Sequence, residues 1–128
     1  MEPVFLELGE ILLIHKDQLE RYGGSSGIRD IGILQSATSL PRAGIADRYL
    51  HEDVFEMSAA YLYYIVRDHP FVDGNKRTGV VVAMVFLAMN DIEISVDEDK
   101  LEVIVRSVAE ENTTKADVAA FFCEGKSR

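Results

Sequence analysis

The sequence is poor in cysteine, in basic residues and in long apolar runs. One residue of 128 is a cysteine, Cys123, so an internal disulfide is impossible and the composition fits a reducing compartment. The 13 lysines and arginines are outnumbered by 22 acidic residues, giving a net charge of −9. Such a balance argues against a general nucleic-acid surface, because those surfaces are basic. The apolar run from Gly79 to Met89 is shorter than the about 20 residues of a membrane span. We therefore expect no direct nucleic-acid partner and no membrane partner.

The length and the first residues of the chain indicate one domain that stays in the cytoplasm. With 48% hydrophobic and 27% charged residues, the composition is ordinary for a globular protein. A chain of this size buries about two-thirds of its unfolded surface when it folds as a single unit. The beginning, M-E-P-V-F-L-E-L, lacks the basic region and the long apolar core of a signal peptide. We predict a single domain over residues 1–128 and a cytoplasmic location.

Apolar residues recur at helical spacing along most of the chain. The run from Gly79 to Met89 is apolar on every side, so we predict that neighbouring helices enclose it. The segment G-G-S-S-G at Gly23–Gly27 is predicted to be a flexible turn, and Pro41–Asp53 a loop. The predicted helices are Leu8–Tyr22, Ile31–Leu40 capped by Asp30 and stopped by Pro41, Val54–Asp68, a central helix ending at Met89, one starting at the acidic triplet Asp97–Asp99, and one starting at Thr114. This pattern predicts an all-α bundle of about six helices around a buried central helix.

The start of the central helix combines a turn with two cations. Gly74 can form a tight turn, and Asn75 is a favourable N-cap for the helix that follows. Lys76 and Arg77 then occupy the first turn, where the helix dipole disfavours positive charge by roughly 0.3 to 1 kcal/mol each. Unpartnered backbone N–H groups, a lysine and an arginine at one helix start would form a phosphate-binding nest. The nest is not a Walker A loop, because G-x-x-x-x-G-K-[ST] does not occur in the sequence.

Two polar residues precede this helix start and complete a reactive cluster. His69 stands before Pro70, which disfavours the helical conformation and places the imidazole at a loop edge. The ordinary pKa of an imidazole, about 6.5, suits a general base. Asp73 could bind Mg²⁺ through one carboxylate while nucleotide phosphates supply other ligands. Phe71 is predicted to anchor the loop to the core. His15, on the apolar stripe of the first helix, is predicted to be a core or rim residue rather than a ligand.

The stretch H-P-F-V-D-G-N-K-R-T-G, from His69 to Gly79, resembles the signature H-x-F-x-[DE]-[GA]-N-x-R of the Fic/Doc family. Most positions of this signature are fixed within one short window, so the match is specific. The similarity also includes R-Y-G-G at Arg21–Gly24 and F-E-M-S-A-A-Y-L at Phe55–Leu62, and so covers nearly the whole chain. Within the family, the chain is most similar to the Doc (death on curing) toxins of toxin-antitoxin systems.

The resemblance implies a transferase whose reaction depends on the residues after Asn75. Fic enzymes that transfer AMP typically have glycine and a second arginine where this chain has Lys76 and Val80. Both differences are Doc-like. Doc-type enzymes move the terminal phosphate of a nucleoside triphosphate to a threonine of elongation factor Tu, which stops translation. The resemblance therefore implies a toxin that is a protein phosphotransferase acting on a Thr or Ser hydroxyl. Gly74 favours the alternative of an AMP transferase, because Doc has alanine there. A non-enzymatic binding module is a further alternative.

The same resemblance assigns roles to the motif residues. The residues expected to be catalytic are His69, Lys76 and Arg77; those expected to bind the nucleotide are Gly74, Asn75, Lys76, Arg77 and Thr78; and the expected metal ligand is Asp73. The implied cofactor is Mg²⁺, and ATP or another nucleoside triphosphate is the implied co-substrate. Arg21 is a weaker candidate, carried over because it lies in R-Y-G-G. Doc-type toxins are neutralised by a partner, so we also expect a cognate antitoxin whose disordered tail folds onto this protein.

Two further segments carry expectations from the resemblance. In Fic-like proteins the stretch before the helix that precedes the motif helps to dock the target, and we expect Pro41–Asp53 to do so here through Arg42. A solvated connector is the alternative. Ser107–Asn112, S-V-A-E-E-N, matches the self-inhibitory pattern [ST]-x-x-x-E-[GN] of many Fic enzymes. The arginine that its Glu111 would engage is Val80 in this chain, so we do not expect self-inhibition.

Overall fold

The structure is a computed structural model that describes residues 2–126. Within this range the helices are α1 (Leu8–Tyr22), α2 (Ile31–Ser39), α3 (Val54–Asp68), α4 (Asn75–Met89), α5 (Glu98–Ala109) and α6 (Lys115–Glu124). A short 3-10 helix (Leu40–Arg42) and two short strands, β1 (Gly44–Ile45) and β2 (Arg48–Tyr49), lie between α2 and α3. The predicted all-α class is confirmed.

Helices α3 and α4 form the centre of the bundle. α3 packs against α4 and α6 most extensively and also contacts α2 and α5. At Gly79 the two central helices approach closely: a Cβ atom there would lie 2.7 Å from Cγ2 of Val66. The enclosure of α4 is less complete than its apolar sequence predicts. Val82 and Phe86 on its inner face are fully buried, whereas Val81 on the opposite face is only half-buried.

The segment between α2 and α3 is more ordered than predicted. Pro41 does not end the helical region but lies within the 3-10 helix, whose first turn tolerates proline. Strands β1 and β2 then pair antiparallel, with Gly44 opposite Tyr49 and Ile45 opposite Arg48. A side chain at Gly44 would overlap the carbonyl oxygen of Arg48, which explains the glycine. Two-residue strands are too short to show the alternation by which strands are predicted.

The segment that precedes α1 is held against α3 and α4 by two buried side chains. The hydroxyl oxygen of Tyr61 accepts a hydrogen bond from the backbone N–H of Leu6 at 3.1 Å. The side-chain amide of Asn90 accepts from Val4 N at 2.8 Å and donates to Val4 O at 2.9 Å. These bonds place Leu6 in the core, where it is fully buried.

The caps of the last two helices agree with the sequence prediction. Asp97 caps α5 by accepting from Lys100 N, and Thr114 forms a capping box with Asp117 at the start of α6. Over the described residues 2–126, none of the helices has both the length and the apolar character needed to cross a membrane.

Candidate active site

The loop between α3 and α4, residues 69–74, begins with a residue in an uncommon conformation. α3 ends at Asp68, and His69 is its C-cap with φ +51° and ψ +62°, in the left-handed region. The next residue, Pro70, is buried, whereas His69 is exposed. The prediction that His69 leaves the helix and stands at a loop edge is confirmed.

Phe71 pins the middle of the loop to the protein interior. Its side chain is 1% exposed and stacks on the ring of His15, with centroids 3.7 Å apart and an interplanar angle of 6°. The side-chain amide of Asn75 accepts from Phe71 N and donates to Phe71 O, both at 3.0 Å. The anchoring role predicted for Phe71 is confirmed. Asn75 is not the N-cap as predicted: that position belongs to Gly74, with φ +78°, and Asn75 is the first helical residue.

A segment between α1 and α2 runs alongside the loop. Val72 N donates to Gly27 O at 3.0 Å, and Arg29 N donates to Pro70 O at 2.8 Å. Ile28 and Phe71 form an antiparallel bridge. The G-G-S-S-G stretch was predicted to be a flexible turn, but its end is one side of this short two-stranded arrangement. The sequence gives no local signal for it, because the two segments are far apart along the chain.

The carboxylate of Asp73 is held by backbone N–H groups. Its Oδ2 accepts from Ser25 N at 3.0 Å, and its Oδ1 accepts from Gly74 N at 2.8 Å. The bond from Ser25, then the bond from Gly74, lower the pKa of Asp73, and the charge of Arg77 contributes in the same direction. A side chain at Gly24 would lie 2.8 Å from Oδ2. The carboxylate therefore stays ionised at neutral pH and depends on the close approach of Gly24.

The backbone of Asp73 is held separately by His15. The carbonyl oxygen of Asp73 lies 2.8 Å from Nε2 of His15, so this ring nitrogen carries the proton and donates. His15 is 6% exposed. The prediction that His15 is a core or rim residue is confirmed, and its contact with the motif loop was not foreseen.

The two cations at the start of α4 lie on the rim of an open depression. Lys76 is exposed, and Arg77 is half-buried, with Nη2 donating to Gly23 O at 2.9 Å and the guanidinium 5.5 Å from the centroid of the Tyr22 ring. The Gly23 bond uses one of five guanidinium donors, so others can reach a ligand. The depression has a volume of about 370 Å³ and is lined by His69, Val72, Asp73, Gly74, Asn75, Lys76 and Arg77. Six residues predicted from the sequence thus line one site.

Two predicted residues lie elsewhere. Thr78 is fully buried, and within residues 2–126 its hydroxyl has no hydrogen-bond partner. Its backbone N–H donates to Gly74 O at 3.0 Å. Thr78 therefore faces the core and not the depression. Arg21 forms an exposed ion pair with Asp17 one helical turn away, at 2.8 Å. Such an exposed pair contributes little to stability. It holds Arg21 on α1 beside Asp17 and not beside the motif loop.

The charges around the depression suit the binding of an anion next to a divalent cation. Over the described part of the chain, no side chain caps the start of α4, so its first N–H groups and the charges of Lys76 and Arg77 are directed to one place. The ionised Asp73 has oxygen lone pairs beyond those used by Ser25 and Gly74, as a hard divalent cation requires. Within residues 2–126, no cluster of three or more potential metal ligands occurs. A bound Mg²⁺ would therefore need oxygens from another molecule, such as phosphates.

The stretch that matches the self-inhibitory pattern lies apart from the depression. Glu111 forms an ion pair with Arg67 at 3.3 Å, and Ser107 forms a short hydrogen bond with Thr113. Val80, which replaces the arginine that such a glutamate would engage, lines a neighbouring groove between α1, α4 and α5 that shares Lys76 and Arg77 with the depression. Within the described residues, the Glu111 side chain pairs with Arg67 on α3 and not with a residue that lines the depression.

Comparison with known proteins identifies the family of the chain. A family profile described as "Fic/DOC family" matches residues 5–87, which include the whole motif loop and the start of α4. The chain is 32% identical over 101 residues to a protein named Toxin Doc from Mycolicibacterium smegmatis, covering 77% of this chain and 78% of that protein. It is 35% identical over 85 residues to a protein named Protein kinase doc from Escherichia phage P1, covering 66% of this chain and 67% of that protein. The chain belongs to the Fic/DOC family.

Proposed function

We propose that this protein is a toxin-like phosphotransferase that moves the terminal phosphate of a nucleoside triphosphate to a Thr or Ser hydroxyl of a target protein. One observation carries the proposal: the depression at the start of α4 is lined by a histidine, a carboxylate held ionised and two cations. These are the groups that phosphoryl transfer to a hydroxyl requires. The similarity to a protein named as a kinase supports transfer of the phosphate rather than of AMP.

Each polar residue of the depression has its own role in the proposed reaction. The hydroxyl oxygen of the target forms a bond to the γ-phosphorus as the bond from that phosphorus to the β,γ-bridging oxygen breaks, and a nucleoside diphosphate leaves. His69 accepts the hydroxyl proton, a contribution of typically about 10² to 10⁴-fold. Lys76 and Arg77, with the N–H groups at the start of α4, stabilise the charge that spreads over the phosphoryl oxygens. Catalysis is therefore mainly positioning and electrostatic stabilisation.

Asp73 is the proposed Mg²⁺ ligand. When bound, Mg²⁺ would neutralise phosphate charge and orient the terminal phosphate. The low pKa of Asp73 supports this role, because the carboxylate is charged throughout the neutral range. Asn75 has a positioning role in this scheme, since its amide oxygen and nitrogen each make one hydrogen bond that fixes Phe71. Thr78 has no side-chain role in this scheme, because it is buried.

AMP transfer is the second candidate, and Gly74 is the observation that favours it. Glycine at this position is typical of AMP-transferring Fic enzymes, and here it adopts φ +78°, which glycine adopts more readily than alanine. Lys76 and Val80 favour phosphate transfer. A binding module without catalytic activity is the third candidate, and the ionised Asp73 beside His69, Lys76 and Arg77 counts against it.

The proposed partners are a protein target and an antitoxin. Elongation factor Tu is the proposed target, and its modification would inhibit translation. Both relatives carry the name Doc, and one is named as a toxin, which supports a cognate antitoxin with a disordered tail that folds on binding. The segment Pro41–Asp53, which contains the hairpin of β1 and β2, is the proposed docking element for the target. Arg42 itself is already paired with Glu7 at 3.1 Å, so its removal would also disturb α1.

A transfer assay with two labels tests the proposal. Purified protein, Mg²⁺ and elongation factor Tu are mixed with ATP that carries label on either the α- or the γ-phosphate. We expect γ-label on the target and none of the α-label. The His69→Ala variant, which leaves the exposed loop edge without a base, should lose about 10² to 10⁴-fold in rate while still binding ATP.

The other outcomes separate the alternatives. Label from the α-phosphate on the target would establish AMP transfer and overturn the use made of Lys76 and Val80. Label from neither position on elongation factor Tu, followed by none on any protein of a whole extract, would favour the binding module. Equal rates for the wild type and His69→Ala would contradict the role of His69.

A further inference from the structure

Arg29 holds three consecutive carbonyl groups around His69. Its side-chain Nε donates to the carbonyl oxygen of His69 at 2.5 Å, and its Nη2 donates to that of Asp68 at 2.7 Å. Its backbone N–H donates to the carbonyl oxygen of Pro70 at 2.8 Å. One residue therefore fixes the backbone before, at and after the proposed general base.

The backbone of His69 needs such support. A left-handed conformation is unfavourable for a residue with a Cβ atom, and Pro70 restricts the backbone of His69 further. Residues in sparsely populated conformations persist when their surroundings fix them, and they concentrate at functional sites. With φ +51°, His69 is one of four non-glycine residues with positive φ within residues 2–126. The others are Ala46, Asp91 and Glu111, in turns outside the motif loop.

The chemistry of arginine fits this position better than that of any other cation. A guanidinium carries Nε and one Nη on the same edge in a fixed plane, so it can bind two acceptors at once, whereas lysine is a point donor. The carbonyls of Asp68 and His69 belong to the C-terminal end of α3, where the helix dipole favours a positive charge. Arg29 is itself held in place, because the next residue, Asp30, caps α2 by accepting from Ile33 N at 3.0 Å.

We propose that Arg29 is a positioning residue for the transfer reaction: it holds the backbone of His69 so that the imidazole stays on the rim of the depression. This inference rests on the proposed function, since it takes His69 as the general base. Misplacement of a catalytic group by about 1 Å costs on the order of 10²-fold in rate. Nucleotide affinity depends instead on Lys76, Arg77 and the start of α4, which Arg29 does not contact. Removal of the Arg29 side chain should therefore lower kcat and leave KM for ATP nearly unchanged.

The test compares Arg29→Ala and Arg29→Lys with the control Arg106→Ala, which removes another exposed arginine, one that pairs with Glu102 a helical turn away on α5. Three quantities are measured: the ¹³Cα and ¹³Cβ chemical shifts of His69, which report a positive φ; kcat and KM for ATP; and the thermal midpoint. For Arg29→Ala we expect loss of the positive-φ shifts, a fall in kcat of about 10- to 100-fold and KM within about twofold. Arg29→Lys should restore less than half of the lost kcat, because it offers no bidentate edge.

Added guanidinium ion should partly restore kcat of Arg29→Ala and leave kcat of Arg106→Ala unchanged, with sodium chloride as the ionic-strength control. If Arg29→Ala does not fold, Arg29→Lys carries the test, with the same loss of the His69 shifts and a smaller fall in kcat. Unchanged His69 shifts, or an unchanged kcat, in a folded Arg29 variant would overturn the inference. Should the wild type transfer no label, the proposed function fails, and the His69 shifts alone decide whether Arg29 fixes that residue.

Discussion

At the scale of single residues, the site depends on a glycine as much as on its reactive side chains, because a larger residue there would not fit. Gly24 approaches Asp73 so closely that a Cβ atom would lie 2.8 Å from Oδ2 and 2.9 Å from a methyl carbon of Leu19. Its φ of +122° is also unfavourable for other residues. The proposed metal ligand is therefore positioned by a glycine that precedes it by almost fifty residues.

We predict that Gly24→Ala displaces the carboxylate of Asp73 and lowers transfer activity more than stability. The reason is that the new methyl group competes with the carboxylate for the space beside Ser25 N. Activity should be measured as a function of Mg²⁺ concentration. We expect a several-fold higher Mg²⁺ requirement, and an unchanged requirement would contradict the role of Asp73.

Gly9→Ala is the matched control for this substitution. Gly9 lies in the first turn of α1, and a Cβ atom there meets no other atom within 4 Å. Alanine in a helix is more stable than glycine by about 0.5 to 1 kcal/mol. The control should therefore raise the free energy of unfolding slightly and leave the Mg²⁺ dependence as it is.

Thr78 gives a second prediction at this scale. Its buried hydroxyl has no partner within residues 2–126, so replacement by the isosteric Val removes an unsatisfied polar group. We expect Thr78→Val to raise the free energy of unfolding by about 1 to 3 kcal/mol and to leave ATP binding unchanged. Urea unfolding and ATP titration measure the two effects. A large loss of ATP affinity would instead restore Thr78 to the nucleotide site.

The motif residues could be predicted from the sequence because they follow one another in a short window. His69, Asp73, Lys76 and Arg77 needed only the turn at Gly74 to bring them together. Residues that hold the loop from a distance could not be predicted. Arg29, His15 and Gly24 reach the loop through tertiary contacts, and each taken alone resembles an ordinary surface, core or turn residue.

At the scale of elements, the packing of the N-terminal segment on α3 depends on one hydroxyl. Burial raises the pKa of Tyr61 to about 12, so its hydroxyl is protonated in the folded protein at neutral pH. We predict that Tyr61→Phe leaves the buried N–H of Leu6 without its partner and lowers the free energy of unfolding by about 1 to 3 kcal/mol.

Tyr49→Phe is the control for Tyr61→Phe. The Tyr49 hydroxyl bonds the exposed carboxylate of Glu2 at 3.0 Å, so its loss should change stability by less than about 0.5 kcal/mol. Both variants are compared by urea unfolding. Equal effects would show that the hydroxyl of Tyr61 contributes no more than a surface group.

The helices were predictable because their signals are local. α1 and α3 begin and end where the apolar spacing and the flanking residues indicated, and the caps at Asp97 and Thr114 are confirmed. The hairpin of β1 and β2 was missed, since its two-residue strands carry no pattern and its glycine is explained only by the opposing strand. The half-exposed side of α4 was missed because an all-apolar helix does not indicate which face its neighbours leave uncovered.

At the scale of the whole molecule, His51 couples folding to pH. It is half-buried, and its Nε2 lies 3.3 Å from Nζ of Lys115 at the start of α6. Burial, and then the charge of Lys115, lower the pKa of His51 below 6.5. Well above pH 6.5 this histidine is neutral in both the folded and the unfolded state. As the pH falls below that value, the unfolded chain binds the proton first, so stability decreases until the pH reaches the folded-state pKa.

We predict that the free energy of unfolding falls as the pH is lowered from about 7.5 through the unperturbed histidine pKa of about 6.5, and that His51→Gln reduces this fall because glutamine does not titrate. Urea unfolding of both proteins across this range measures the difference. Identical pH profiles for the wild type and the variant would contradict the coupling.

The two-segment construction of the motif loop has a consequence for protein engineering. Residues 69–74 take most of their hydrogen-bonding partners from residues 15–30, which supply Ser25, Gly27, Arg29 and His15. The nine-residue signature, residues 69–77, is therefore not expected to adopt this conformation by itself in another protein. A graft of that signature onto another helical scaffold would carry the reactive side chains without the frame that orients them. We expect a transplanted loop to adopt this conformation only when the segment between α1 and α2, residues 23–30, is transplanted with it.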